Sequence, residues 1–414
     1  MPSPFFRAHL PNKTAPVGPI LEYPAMSASL DTAPAGRPSR TGLALPEFLR
    51  SPLRVIGSIF ILYLVLVATS NVLAGEYTLD QFARNLVFGL AQGSIYSLIA
   101  LGYTLVYGVL LMINFAHGDV FMAGAYIGFF AITFMQNAGL LASNTLLAVL
   151  FTVFIGVISS ITVALLLERI AYRPLRGAPR LVTLITAIGA SIAIQQLFLL
   201  LFGASVRRYP DVSLYAFPNV FPTLGCEVVG GTEVCRGIDL ISGRYDVVLF
   251  GLELRILPIH MVVFTTSLVM MAALWFFVRR TKTGRAMRSV SEDPKTAMLM
   301  GVNVDRVIVI TFALGAALAG AAGVLFAFYN QQVSPFIGFL PGLKAFTAAV
   351  IGGIGSIPGA MFGGLFLGVA ETVLPGLLGL SSQLKDVVSF TLLVLVLIFR
   401  PNGFFGSGQA QRKA

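Results

Sequence analysis

The sequence predicts an all-α fold, a polytopic membrane helix bundle, on three grounds. Apolar runs long enough to cross a bilayer recur along most of the 414 residues, and each needs about 20 residues to cover roughly 30 Å. Only 11% of the side chains are charged, where soluble chains carry about 25%. The hydrophobic residues make up 56% of the chain and are joined by 42 glycines, which let helices approach closely in lipid.

The elements follow in order. Residues 1–50 are rich in Pro, Ser, Ala and Thr without periodicity, a composition that predicts a disordered cytoplasmic tail. About nine or ten hydrophobic segments then fall at 53–73, 85–112, 115–136, 145–167, 181–202, 258–278, 307–328, 341–355, 357–378 and 384–400. The first begins too far into the chain for a cleaved secretory signal. The segment at 341–355 is short for a span. It either crosses or re-enters, and re-entry would move the C-terminus to the outside.

Lysine and arginine orient the loops. Residues 279–306 carry Arg279, Arg280, Lys282, Arg285, Arg288, Lys295 and Arg306 against three acids. Residues 168–180 carry Arg169, Arg173, Arg176 and Arg180. Both loops are predicted cytoplasmic, and the near-balanced 203–257 loop external. The same bias accounts for the net charge of +10 without invoking nucleic acid. In the outer loop Cys226 and Cys235 suit a small disulfide in an oxidising compartment, and two free thiols are the alternative.

Three stretches carry candidate chemistry. In "GVLLMINFAHGDVFMAGAYIG" (108–128), Asn114, His117, Gly118 and Asp119 interrupt two apolar segments. In "AVIGGIGSIPGA" (349–360), Gly352, Gly353 and Gly355 do the same. Each is either a helix break near the midplane lining a solute path or a plain corner at the cytoplasmic face, which is the commoner object. Lys344 and Glu371 are ionisable groups inside spans, where such groups are usually paired or face a cavity. Counted back to the corner near 355–359 they stand at similar depth, about 16–18 Å above it. This predicts an intramembrane ion pair, against separate exposure to water or to a subunit interface. The cytoplasmic stretch "TKTGRAMRSVSEDPKTAMLMGVNVDRV" (281–307) writes a short capped helix, with Asp293 as N-cap, Pro294 at the first helical position and Gly301 beyond its end. Such a helix serves either to dock on a soluble partner or to lie on anionic lipid.

This loop resembles the coupling region of permease subunits in ATP-binding-cassette importers, "AMLMG" (297–301) being a degenerate form of their Ala-x-x-x-Gly signature. The blocks "GSIYSLIALGYTLVYGVLLMINFAHGDVFMAGAY", "ERIAYRPLRGAPRLVTLITAIGASI", "GVNVDRVIVITFALGAALAGAAGVL", "GFLPGLKAFTAAVIGGIGSIPGAMFGGLFLGVAE" and "LKDVVSFTLLVLVLIFRPNGFFG" resemble the branched-chain amino acid permease family, in particular its shorter subunit. The likeness covers 82–406. The 53–73 helix and the length of the outer loop are additional to the compact form of the family.

The resemblance implies a non-enzymatic permease of a bacterial inner membrane. It would move branched-chain or related apolar amino acids by alternating access, with urea or short amides as the alternative cargo. It implies a second permease subunit, two ATPase subunits holding ATP and Mg, and a periplasmic binding protein. Gly284, Arg285, Arg288, Glu292, Asp293, Pro294, Ala297 and Gly301 would then couple to the ATPases. The residues fit this: no GxxxxGK[ST] phosphate loop is present, and no cofactor or metal site is expected from three histidines and two cysteines. A membrane enzyme lacks its acid pair or nucleophile elbow, a passive channel its filter sequence. An ion-coupled secondary transporter would usually show more intramembrane carboxylates.

Overall fold

The computed structural model describes residues 52–216, 226–229, 232–235, 238–249 and 252–406; the predicted tail at 1–50 lies outside them. The helices are α1 (Pro52–Leu73), α2 (Leu79–Leu110), α3 (His117–Asn137), α4 (Leu140–Ser143), α5 (Thr145–Leu167), α6 (Arg180–Phe202) and α7 (Pro258–Arg280). They continue as α8 (Lys282–Glu292), α9 (Pro294–Leu299), α10 (Val304–Asn330), α11 (Phe339–Gly352), α12 (Ile357–Leu377) and α13 (Lys385–Phe399). A π-helical turn, Glu168–Tyr172, extends α5. Among the described residues nine helices are long and apolar enough to cross a membrane.

The helices α2, α3 and α10 form the buried centre, while α1, α6 and α13 keep most of their apolar surface outward. Lipid tails solvate such surface, so these helices need no polar face. With no hydrophobic drive between helices in lipid, close backbone packing holds the centre together. At Gly368 of α12 an added Cβ would lie 2.2 Å from the Gly93 Cα of α2. Only glycine permits that approach.

Contacts between helix ends fix which ends lie together. The rings of Phe88, His260 and Tyr329 meet with centroids 4.5 and 5.2 Å apart, so α2 and α7 begin where α10 finishes. At the opposite end Arg176 pairs with Asp305, joining the α5–α6 turn to the start of α10. The two basic loops therefore share one end of the bundle. The additional helix α1 leans on α12 and α13, with Asn71 Nδ2 donating to the Leu377 carbonyl at 3.0 Å.

Short antiparallel strand pairs occupy the opposite end: β1 (Arg207–Arg208), β2 (Tyr215–Ala216), β3 (Cys226–Val229), β4 (Thr232–Cys235), β5 (Ile238–Asp239), β6 (Tyr245–Leu249), β7 (Leu252–Ile256) and β8 (Gln332–Val333). They pair as β1–β8, β2–β5, β3–β4 and β6–β7. The sequence reading expected only loop there. The β3–β4 register sets Cys226 opposite Cys235; their side chains lie outside the described residues.

The short segment expected at 341–355 is α11, 14 residues long, or about 21 Å. From the β8 end, residues 334–338 carry the chain into the bundle before α11 begins. A non-helical stretch and this short helix together join the β8 end to the turn before α12. The C-terminal segment after α13 then ends beside the corner that follows α11, where Phe404 and Phe405 N–H groups donate to the Ile351 and Gly352 carbonyls at 2.9 Å.

A candidate site at a helix break inside the bundle

The centre of the site is where α2 stops and α3 starts. Leu111 closes α2 with φ 54°, a left-handed conformation that is uncommon for leucine. The chain then turns back through Asn114, whose carbonyl accepts from the His117 N–H at 3.1 Å. His117 lies against Gly102 of α2 and Gly315 of α10. Gly315 is eleven residues beyond Val304 and fifteen short of Asn330, about 17 and 23 Å along the helix. The start of α3 therefore sits near the middle of α10, while α2 runs eight residues past Gly102 before it stops at Leu110.

Each polar residue of the break has a defined neighbour. Asn114 Oδ1 accepts from the Tyr172 hydroxyl at 2.5 Å. Asp119 Oδ1 accepts from Gln195 Nε2 of α6 at 2.8 Å, and Ser191 bonds the same amide at 3.3 Å. His117 stacks edgewise on Tyr103, centroids 4.9 Å apart, and its Nε2 has no hydrogen-bond partner among the described residues. Gly118 meets Gly338 and Gly342 at the start of α11. Neither α3 nor α11 has a side-chain cap; their first N–H groups donate to the Asn114 and Phe336 carbonyls at 3.1 and 3.2 Å, and the two helices begin side by side within the bundle. Beside them lies a cavity of about 150 Å³ whose walls include Tyr103, Asp119, Gln195 and Gly342.

The glycines at 352–355 are placed differently. Gly353 and Gly355 take φ 101° and 94° in the turn between α11 and α12, and the 402–406 segment packs on Gly353. None of Gly352, Gly353 and Gly355 lines the cavity. They form a braced corner.

Lys344 and Glu371 are brought together as a buried ion pair. Asp386 of α13 joins them, its Oδ1 2.6 Å from Lys344 Nζ. Gln92 and Ser389 donate to the Glu371 carboxylate at 3.5 and 3.3 Å. The cluster ties α2, α11, α12 and α13 together.

In the 279–306 loop, α8 precedes the anticipated capped helix, and α9 is that helix. Gly284 is needed where α8 turns away from α7, since a Cβ there would lie 2.3 Å from the Val278 carbonyl. Arg288 donates to that carbonyl; Arg285 and Glu292 are exposed. Asp293 caps α9 by accepting from the Lys295 N–H at 2.9 Å, Pro294 opens it, and Gly301 follows it with φ 83°. The hydrogen bond from the Thr296 hydroxyl, followed by that from Lys295 N–H, holds the Asp293 carboxyl below the ordinary carboxylate range. Ala297 is the buried side of α9, while Leu299 is 87% exposed and Met298 and Met300 flank it. An apolar helix tip is thus offered at the basic end.

Gln195, Tyr172 and Asp386 were not singled out by sequence. A glutamine within the apolar run 181–202 was a readable signal, because buried amides in lipid require partners. Tyr172 and Asp386 sit at segment ends, where their polarity was unremarkable.

Nine membrane-length helices among the described residues, a helix start inside the bundle and a short apolar-tipped helix on one face are the features of a multi-pass membrane transport protein. The model of the family described as "Branched-chain amino acid transport system / permease component" matches residues 85–397, and the chain belongs to that family. It is 42% identical over 331 residues to the high-affinity branched-chain amino acid transport system permease protein BraD of Pseudomonas aeruginosa, covering 80% of this chain and 98% of that one. It is likewise 42% identical to LivH of Escherichia coli, covering 80% and 97%. The similarity to a probable LivH of Methanocaldococcus jannaschii is 27%, covering 75% and 88%.

Proposed function

We propose that this chain is a permease subunit of an ATP-binding-cassette importer that moves branched-chain amino acids inward across the bacterial inner membrane. The observation that carries this reading is the 42% identity held over nearly the whole length of proteins bearing that name. Their names favour branched-chain amino acids over urea or a short amide.

The chain supplies the path, and separate subunits supply the energy. It works beside a second permease, with two ATPases binding ATP and Mg and a periplasmic binding protein delivering the amino acid. The exposed tip of α9 docks on an ATPase, so closure of the ATPases displaces the 279–306 loop. Asn114, His117, Gly118 and Asp119 form the gate. Support comes from the position of His117 near the middle of α10 and from the adjoining cavity, whose 150 Å³ falls below the roughly 300 Å³ at which small-ligand pockets begin. The path is constricted here, and separating the starts of α3 and α11 would widen it. The break suits transport of an unchanged solute: Asn114 and Asp119 are engaged by Tyr172 and Gln195, and His117 packs on the Tyr103 ring.

The test is ATP-driven uptake into liposomes holding the full complex, comparing leucine, a polar amino acid and urea. Leucine uptake that requires ATP and the binding protein supports the reading; urea uptake without leucine uptake overturns the substrate.

A further inference from the structure

The basic turn at 168–180 has a role beyond orienting the chain in the membrane. It bridges the cytoplasmic loop to the break through two sets of polar contacts joined by the π-helical turn. At one end Asp305, in the first turn of α10 just beyond α9, pairs with Arg176 and lies 3.8 Å from Arg173. Arg176 also pairs with Glu168, the first residue of the π-helical turn, whose side chain is only 4% exposed. At the far end of that turn Tyr172 donates to Asn114 at 2.5 Å, while its ring packs against Phe312 of α10. Asn114 in turn holds the first N–H of α3.

We propose that the π-helical turn Glu168–Tyr172 transmits movement of the cytoplasmic loop to the gate, with Arg176 and Tyr172 as its positioning residues. This rests on the importer reading for the source of the movement, and on the local geometry for the route. Three features suit the turn to the task. Its two ends engage different elements, the start of α10 through Arg176 and Asp305 and the approach to α3 through Asn114. Single π turns inside α-helices are rare and concentrate at functional sites. Glu168 is a buried carboxylate that depends on Arg176, so the two must move together or leave a charge unpaired. A plain structural clamp would need no bond from Tyr172 to the break.

The test uses the full chain in membranes, with Cys226 and Cys235 replaced by serine and a single Leu343→Cys on the cavity wall as reporter. The alkylation rate at that cysteine is read in a double-mutant cycle. Arg176→Gln is expected to change the rate about fivefold, within the range expected for energetic coupling through contiguous networks. In a Tyr172→Phe background the same substitution should change it no further, and Arg176→Lys should preserve the original rate. An unchanged rate in Arg176→Gln, or equal changes in both backgrounds, overturns the proposal. In the complete importer Tyr172→Phe should lower leucine carried per ATP hydrolysed while leaving ATP hydrolysis largely intact. If the unsubstituted complex moves no leucine, the importer reading fails, while the alkylation cycle still decides the route.

Discussion

Gly118 and Gly338 meet backbone to backbone where α3 and α11 begin, so closely that a Cβ on Gly338 would lie 2.0 Å from the Gly118 carbonyl oxygen. The contact joins the two helix starts beside the cavity. Gly338 has φ −82°, a value open to any residue, so its requirement for glycine is steric. Gly338→Ala should cost about 1–3 kcal/mol through overpacking and, on the proposal that these helix starts part to open the path, should depress leucine uptake. Gly108→Ala is the control, since a Cβ there meets nothing within 4 Å. Thermal unfolding of the detergent-solubilised protein and uptake assays measure both. Equal behaviour of the two variants would remove the contact from the gate.

Lys344 serves two acids. Lys344→Met leaves Glu371 buried and unpaired and should destabilise the protein by about 3–5 kcal/mol. The swap Lys344→Glu with Glu371→Lys restores that pair but sets a carboxylate beside Asp386, 2.6 Å from the present Lys344 nitrogen. Rescue should therefore be partial, and should improve when Asp386→Asn is added. Full recovery of the melting temperature by the double swap alone would show that Asp386 takes no part.

Much of this fold was legible because lipid imposes simple rules. Span length and basic loops follow directly from bilayer thickness and charge, and the boundaries of α1, α5 and α6 fall close to the apolar runs. The Lys344–Glu371 pairing was legible for the same reason, since two charges at similar depth in lipid seek one another. Asp386 escaped notice because it lies at the start of α13, where an acid looks like a solvated helix end. The depth of 114–119 was not legible either: an interrupted apolar pattern looks the same at mid-bundle and at the face. Tertiary packing sets His117 against Gly102 and Gly315, a contact that no local pattern announces. The strands of the outer segment were missed because each is only two to five residues long, at or below the length over which a period-2 pattern is readable.

The outer hairpin sets Cys226 across from Cys235, and we expect the pair to be oxidised in the protein as made in its own membrane. A maleimide reagent should label neither cysteine until a reductant is added, and then both. Labelling without reductant would establish free thiols. Because this hairpin is distant in sequence from the gate, Cys226→Ser with Cys235→Ser should leave uptake per ATP close to that of the parent while making the outer segment more protease-sensitive.

Asp293 makes the pH behaviour of the α9 cap predictable. Its carboxyl is held below the ordinary range by the bonds from Thr296 and Lys295. A carboxyl depressed in the folded state contributes stability above its unfolded pKa and loses it only as pH falls through the lower folded value. The cap is therefore constant from about pH 5 to 8. Asparagine accepts the same backbone bond without a charge, so Asp293→Asn should retain coupling with the same pH profile as the parent. Asp293→Ala removes the acceptor, frays the docking tip and should reduce leucine carried per ATP several-fold at every pH in that window. Uptake and phosphate release measured side by side provide the check. A loss in Asp293→Asn matching that in Asp293→Ala would mean that the negative charge, and not the cap, is what the ATPase contact requires.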